Sequence, residues 1–503
     1  MRKSFTSFAF AVAVCVAVAL AACVSHNDSQ SGFGPARAAQ SVPVQIPATA
    51  TKSSSAYAYA DVRSVAMQVT RSRVDVPEAG VRNSEPSLAV SAYANATEGD
   101  QLVVAWMQMR PGANNIDTTL IKSAQSDNNG VNWSSTGVVL TAVGAADIGF
   151  DPSVSADPET GFAAIAGMTR NFTNNSPANP IWVARKSSRS ANFGAPMQLS
   201  GATSTIADRQ WLSSAHVNGE RLTVLMATGV PRYWVSIGDQ PFQQIEQALN
   251  CKGVYPAVSA TGELHIACFE LGNAGQSNRY IHKRTVGGVF GPAQVAHAVA
   301  PDSGSPTPIF SAIPGSFRFS YYPVFAVDSA RDRVYFPTSL LNESVTAGNV
   351  DIVLTVSENG QSFSAPIVVS SNAVPGGDQF APAISVDPQG GIHLAYFDTS
   401  AYPQTDNASS ALLDVIYAYS VDGGSTWVQS KVNETAIDTN NTPWSYPPNG
   451  SVEQFIGDYI SIASSPTAAY ISYPRTNGDQ LGLEVARVER PADPSLFANG
   501  FEL

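Results

Sequence analysis

From about residue 65 the chain is a succession of short apolar runs separated by polar turns. Val415-Ile416-Tyr417-Ala418-Tyr419 is one such run, and Val428 to Val432 another. Gly262-Glu263-Leu264-His265-Ile266-Ala267 matches Gly390-Gly391-Ile392-His393-Leu394-Ala395 almost position for position. No stretch carries the 3.6-residue periodicity of a long amphipathic helix, so the pattern predicts an all-β chain.

The runs recur as a unit: a small apolar strand, often after Pro, then a strand rich in Val, Leu, Tyr and Trp, then two more. First strands are predicted at Glu85-Pro86-Ser87-Leu88, Asp151-Pro152-Ser153-Val154, Asp208-Arg209-Gln210-Trp211, Tyr255-Pro256-Ala257-Val258, Tyr322-Pro323-Val324-Phe325, Phe380-Ala381-Pro382-Ala383 and Asp458-Tyr459-Ile460-Ser461. A four-stranded unit cannot bury both faces alone, so neighbours must stack around an axis. The expected fold is a β-propeller of seven four-stranded blades, or six if two short units form one degraded blade. The last unit, Asp458 to Val488, shows only three strand signals. A spare strand near Val65 to Val74 is expected to supply the fourth and close the ring, which removes an exposed edge.

Between the third and fourth strands of one unit lies Ser420-Val421-Asp422-Gly423-Gly424-Ser425-Thr426-Trp427. The glycines suit positive φ, Ser and Asp bond the turn's own amides, and the Trp folds back as an apolar plug. Ser126-Asp127-Asn128-Asn129-Gly130-Val131-Asn132-Trp133 keeps Ser126, Gly130 and Trp133; Val356-Ser357-Glu358-Asn359-Gly360-Gln361-Ser362-Phe363 keeps the Gly. Segments ending at Phe193 and Phe290 are more eroded. The octet resembles the Asp-box, S-x-D-x-G-x-T-W, of sialidase-like (BNR-repeat) β-propellers, with Ser420, Asp422, Gly424 and Trp427 at its defining positions. The resemblance covers the scaffold, roughly residues 65–490. It implies that the Asp-box turns are structural and lie on the face opposite the ligand site.

The amino terminus reads differently. A basic head, Met1-Arg2-Lys3, precedes an apolar stretch from Phe8 to Ala22 that is short for a membrane span and suits a signal peptide, residues 1–22. Leu20-Ala21-Ala22-Cys23 resembles a bacterial lipobox, which implies lipidation at Cys23 and export, and Val24 in place of Asp points to the outer membrane. Residues 23–64 read as the lipidated Cys and a flexible Ser, Ala and Pro-rich tether, and 491–503 as a tail resembling the F-x-D-G-F-E endings of some exported proteins. The lipid is then the only expected membrane anchor. A net charge of −12 disfavours nucleic acid as a partner. A monomer is expected. In an exported protein Cys251 and Cys268, flanking a strand pair, are expected to form a disulfide, two buried free thiols being the alternative.

The predicted ligand face carries the loops that enter each first strand. Its candidates are Arg82, Glu85, Asp151, Asp208, Arg209, Tyr255, Arg318, Tyr322, Asp378 and Asp458. A ring of carboxylates, one Arg and tyrosines around a channel mouth suits sugar hydroxyls or a cation. Sialidases, by resemblance, place three arginines on the substrate carboxylate and use a Tyr nucleophile, a Glu and an Asp. Here their Phe/Tyr-Arg-Ile-Pro motif is missing, and its nearest echo is Arg82-Asn83-Ser84-Glu85-Pro86. Arg82, Arg209 and Arg318 are the arginines available for such a triad. Neither a metal nor a cofactor is expected: the six histidines do not cluster, and His265 and His393 occupy equivalent repeat positions. Two functions follow: a propeller that binds a glycan or protein ligand without catalysis, or a sialidase-like exo-glycosidase with a rearranged site.

Overall fold

The computed structural model describes residues 58–75, 80–95, 97–111, 118–140, 147–171, 179–199, 208–230, 232–247, 249, 252–271, 277–299, 317–318, 320, 322–342, 349–370, 377–403, 411–446, 451–477 and 480–491. Cys23, the signal segment and the tail beyond residue 491 lie outside them. Apart from a 3-10 turn at Thr439–Asn441, the regular structure among the described residues is β-strand. No helix among them is long and apolar enough to cross a membrane.

The strands form antiparallel meanders in chain order. The first sheet is Arg82–Ala92, Gln101–Arg110, Thr118–Ser126 and Ser134–Ser135. The second is Asp147–Asp157, Phe162–Asn171, Ile181–Lys186 and Met197–Gln198, and the third Asp208–Val217, Glu220–Thr228, Arg232–Ile237 and Gln243–Glu246. Lys252–Val258, Leu264–Glu270, Asn278–Val286 and Gln294–Val299 make the fourth. Ala326–Asp328, Arg333–Asn342, Asn349–Ser357 and Ile367–Val368 make the fifth, and Gln379–Val386, Ile392–Asp398, Leu412–Ser420 and Thr426–Lys431 the sixth. The seventh is Ser461–Ser464, Ala468–Asn477, Gln480–Glu489 and, on its outer edge, Val69–Asp75.

Each sheet buries one face against the sheet before it and the other against the sheet after it. Val103 and Ile121 of the first meet Val154 and Ile165 of the second. Phe162 and Met168 meet Leu212 and Trp234, Val224 and Met226 meet Val258 and Ile266, and Phe269 and Tyr280 meet Phe325 and Phe336. Tyr335 and Leu354 meet Leu394 and Trp427, and Tyr417 meets Ile471 and Val488. Tyr470 and Val485 of the seventh sheet then pack on Leu88 and Trp106 of the first. Burial on both faces explains why central strands such as Gln101–Arg110 read as continuous apolar runs. The inner strands are also stitched together by hydroxyls. Backbone amides of Leu88, Val154, Leu212 and Val258 donate to the hydroxyls of Ser461, Ser87, Ser153 and Ser213 of the neighbouring sheet, at 3.0, 2.8, 2.9 and 2.9 Å.

At one end of the sheets lie the turns after the first and third strands. In the octet at Ser420 the hydroxyl accepts from Gly424 N at 3.0 Å, and Asp422 Oδ1 accepts from Ser425 N and Thr426 N at 3.0 and 2.9 Å. The Trp427 indole donates to Gly424 O at 2.9 Å. At the second copy Ser126 Oγ accepts from Gly130 N at 3.0 Å and Asn128 Oδ1 from Asn132 N at 3.0 Å, so Asn does the work of Asp. The third copy is registered one residue later than the sequence pattern placed it. Ser357, not Val356, ends the strand, and Asn359 Oδ1 accepts from Gln361 N at 2.9 Å, which leaves one residue fewer before Phe363. The segment ending at Phe193 has Lys186 where Ser would stand. That buried ammonium donates to Gln125 Oε1 of the first sheet at 2.9 Å, and burial lowers its pKa to about 8.

The chain before Val65, expected to be tether, is already strand. Ala58–Tyr59 runs parallel to Ile367–Val368 on the outer edge of the fifth sheet, and Asp61–Ser64 parallel to Thr426–Gln429 on that of the sixth. Val69–Asp75 then pairs antiparallel with Gln480–Glu489, which supplies the fourth strand the last unit lacked. Cys268 is disulfide-bonded; Cys251 lies outside the described residues.

Candidate functional site

At the other end, where first strands begin, the backbone repeats an unusual feature. The ladder slips between Ser84 and Ser87, Phe150 and Ser153, Asp208 and Gln210, Lys252 and Tyr255, and Phe380 and Ala383. Inside these bulges Glu85, Asp151, Arg209, Gly253 and Ala381 have φ of 52, 53, 48, 61 and 53°. A left-handed non-glycine residue costs on the order of 1 kcal/mol. Yet three of the five carry charge, and side chains so placed are turned from their own sheet. Gly253 is needed as glycine, since a Cβ there would meet Tyr322 Cδ1 at 2.4 Å.

Arg209 spans the space these bulges enclose. Its Nη2 donates to Asp458 Oδ2 and its Nη1 to Ser320 Oγ at 2.7 Å, while its guanidinium lies 4.3 Å from the centroid of the Tyr322 ring. Its backbone N–H donates to Asp151 Oδ2 at 2.9 Å. Through its backbone and side chain this one residue ties together the second and third sheets and the segments leading into the fifth and seventh. Burial opposes its charge, but Asp458, Asp208 and Asp151 outweigh burial and hold the guanidinium protonated more firmly than usual. Asp151 shows the reverse. Burial, with Asp208 and Glu85 nearby, holds its carboxyl well above the usual carboxylate range.

Beneath this ionic layer is an aromatic one. The Trp211 ring lies 4.9 Å from Tyr255 and 5.0 Å from Tyr459, and Tyr255 packs edge-on to Phe325 at 6.1 Å. The Tyr459 hydroxyl donates to Pro152 O at 3.1 Å, and burial pushes the Tyr255 phenol up to about 12. Glu85, Asp151, Arg209, Asp458 and Tyr459 are all buried.

The structure therefore brings Glu85, Asp151, Asp208, Arg209, Tyr322 and Asp458 into one cluster. Tyr255 belongs to the aromatic layer, two residues past its bulge, because the third-position Pro256 misaligned that unit with Glu85-Pro86. Asp378 is elsewhere in role: its Oδ1 accepts from Val350 N at 2.8 Å and its N–H donates to Thr399 Oγ1 at 2.8 Å, fastening the fifth sheet to the sixth. Arg82 opens its strand opposite Met109 and next to Leu481. Arg318 pairs with Phe455 in a short parallel bridge, and its side chain lies outside the described residues. Ser320, Gln210, Trp211 and Tyr459 were not read as site residues, since neither Ser nor a buried aromatic stands out within one sequence. Among the described residues no three His, Cys, Asp or Glu side chains are placed to hold a metal. The two equivalent histidines are internal: His265 Nδ1 lies 3.1 Å from His282 Nε2, and His393 Nε2 lies 3.1 Å from Asp387 Oδ2.

Two results are expected of this cluster. Arg209→Lys supplies one ammonium where two guanidinium nitrogens and a stacked plane were used, so it should lose about 1–3 kcal/mol in urea denaturation. Asp151→Asn tests the crowded carboxyl. Its folded pKa is raised, so the wild type binds an extra proton when folded and loses stability as pH rises from about 4 through that folded value. The Asn variant keeps an acceptor for Arg209 N and should flatten this slope, with a higher Tm than wild type at pH 8. An unchanged pH profile of Tm would contradict the burial of this charge.

No family model matches the chain, and no curated protein matches it significantly. Solved structures similar to it include a Trypanosoma rangeli sialidase in complex with sialic acid, at 10% identity and a TM-score of 0.39 over 84% of this chain. The chain spans 59% of the length of that sialidase. A mutant α-L-arabinofuranosidase from Fusarium graminearum bound to an iminosugar inhibitor is similar at 10% identity and a TM-score of 0.38, covering 81% of this chain and 93% of that one. A Penicillium chrysogenum α-L-arabinanase complexed with arabinobiose is similar at 10% identity and a TM-score of 0.34, covering 56% of this chain and 93% of that one.

Proposed function

We propose that this chain is a seven-bladed, sialidase-like β-propeller whose ring is closed by Val69–Asp75, and that it binds a carbohydrate at the cup formed by Glu85, Asp151, Asp208, Tyr322 and Asp458. One observation carries the reading: three successive first strands place a charged residue in a strained, left-handed bulge, and those side chains converge on one point. Strain of this kind persists where the surrounding structure holds it, and it concentrates at working sites. Several carboxylates and a phenol in a cup suit the hydroxyls of a sugar.

Hydrolysis is the second reading, favoured by Asp151, whose carboxyl burial holds well above the usual carboxylate range beside Asp208 and Glu85. A general acid beside an ionised carboxylate is what glycoside cleavage needs. Under this reading Asp151 donates the proton to the leaving oxygen. A glycan array run beside a panel of fluorogenic exo-glycosides tests both. Binding without turnover supports the lectin-like reading, and turnover abolished in Asp151→Asn supports the hydrolase. Neither binding nor turnover would sink the carbohydrate assignment.

The protein is proposed to be exported and lipid-anchored through Cys23, on the Leu20-Ala21-Ala22-Cys23 sequence, in the outer membrane and as a monomer. Mass spectrometry of the mature protein should find an acylated Cys23, and Cys23→Ser should release it from membranes. A wild-type protein without an acyl chain would overturn the anchor.

A further inference from the structure

We infer that the saccharide taken at this cup carries no carboxylate, and that a free amine on it strengthens binding. This rests on the carbohydrate reading above and narrows it to a substrate class.

What is free to meet a ligand sets the class of saccharide. A site for an acidic sugar needs a guanidinium with its paired N–H groups turned outward. Arg209 does not offer them. One terminal nitrogen is on Asp458, the other on Ser320, and a face of the plane lies on Tyr322. It is also buried, with 8% of its surface exposed. Its charge is already answered by Asp458 and Asp208, and Glu85 adds a further carboxylate beside Asp151. An entering carboxylate would therefore face like charges with no open guanidinium from Arg209 to answer them. An ammonium would be attracted by the same field.

A second observation concerns Gln210, which follows Arg209 and is 1% exposed. Its Nε2 donates to the backbone carbonyl of Asp151, which places the amide beside the cluster. Its Oε1 has no hydrogen-bond partner among the described residues. A buried acceptor left open calls for an O–H or N–H donor. A sugar hydroxyl or amine supplies one; a carboxylate supplies only further acceptors.

The test is a glycan array carrying neutral, amine-bearing and carboxylate-bearing saccharides, read with wild type and with Asp208→Asn at low and high salt. Asp208 is half-buried, and its replacement keeps the side chain's shape. The wild type should bind neutral and amine-bearing saccharides and leave sialylated and uronate ones empty. Any amine preference should shrink by about fivefold in Asp208→Asn, the effect of one unit charge a few ångströms away, and should weaken as salt rises. Binding of sialylated or uronate glycans would overturn this inference while leaving the carbohydrate reading intact. An array with no bound saccharide would overturn both.

Discussion

Trp427→Ala is expected to destabilise the protein by about 3–5 kcal/mol, the usual cost of truncating a large buried aromatic, and to leave saccharide binding by the folded molecules unchanged. The indole is 1% exposed and packs between the fifth and sixth sheets against Leu354, Ile392, Leu394 and Tyr396. Its N–H also closes the turn on Gly424 O. The variant should keep a cavity. Urea denaturation of the variant beside Trp133→Ala separates plug from ornament. Trp133 is only half-buried and reaches out to Ser72 Oγ at 2.8 Å, so its loss should be smaller. The Trp427 turn lies at the end opposite the Arg209 cluster, so a selective loss of binding with stability intact would mean the ligand enters at the other end.

That octet was legible because it is local. Ser420, Asp422, Gly424 and Trp427 contact one another within eight positions, and spacing alone displays the design. The site was legible only as a set of residue types. Glu85, Asp151 and Asp458 were picked out because acidic residues open strands, but nothing in the spacing said that Arg209 reaches across to Asp458, 249 positions away. Local spacing offers Asp208 or Asp151 as its partner, and the pairing with Asp458 depends on sheet-to-sheet geometry that no single unit contains. The same limit explains Tyr255. Within its own unit it resembles a strand opener, and only the bulge at Gly253 shows that the unit is offset by two residues. The third copy of the turn, misread by one position, shows how a shortened loop hides its register when only the aromatic and a glycine are kept.

Removing the amino-terminal strand should have the other large effect. A variant that starts at residue 58 should melt with the full chain, one that starts at 66 should melt slightly lower, and one that starts at 76 should lose about 5 kcal/mol or more, a large part of a domain's stability. The first cut leaves all the pairing recorded for this segment. The second removes Ala58–Tyr59 and Asp61–Ser64, short strands laid on edges of complete sheets, with the partly buried Ala60, Val62 and Val65 beside the core. The third removes Val69–Asp75, which is hydrogen-bonded along Gln480–Glu489. Met67 and Val69 pack on the core between the sixth and seventh sheets, and Val74 on the core between the seventh and first. Asp75 Oδ2 also accepts from Asn83 and Gln108 of the first sheet at 3.2 and 3.0 Å. This strand therefore touches the sheets on both sides of the junction between chain start and chain end. Its loss would expose the edge of Gln480–Glu489, a row of unpaired amides and carbonyls open to a second molecule, so the shortest variant should also aggregate on heating. Matching melting curves for the variants starting at 66 and 76 would show that Val69–Asp75 does not hold this junction together.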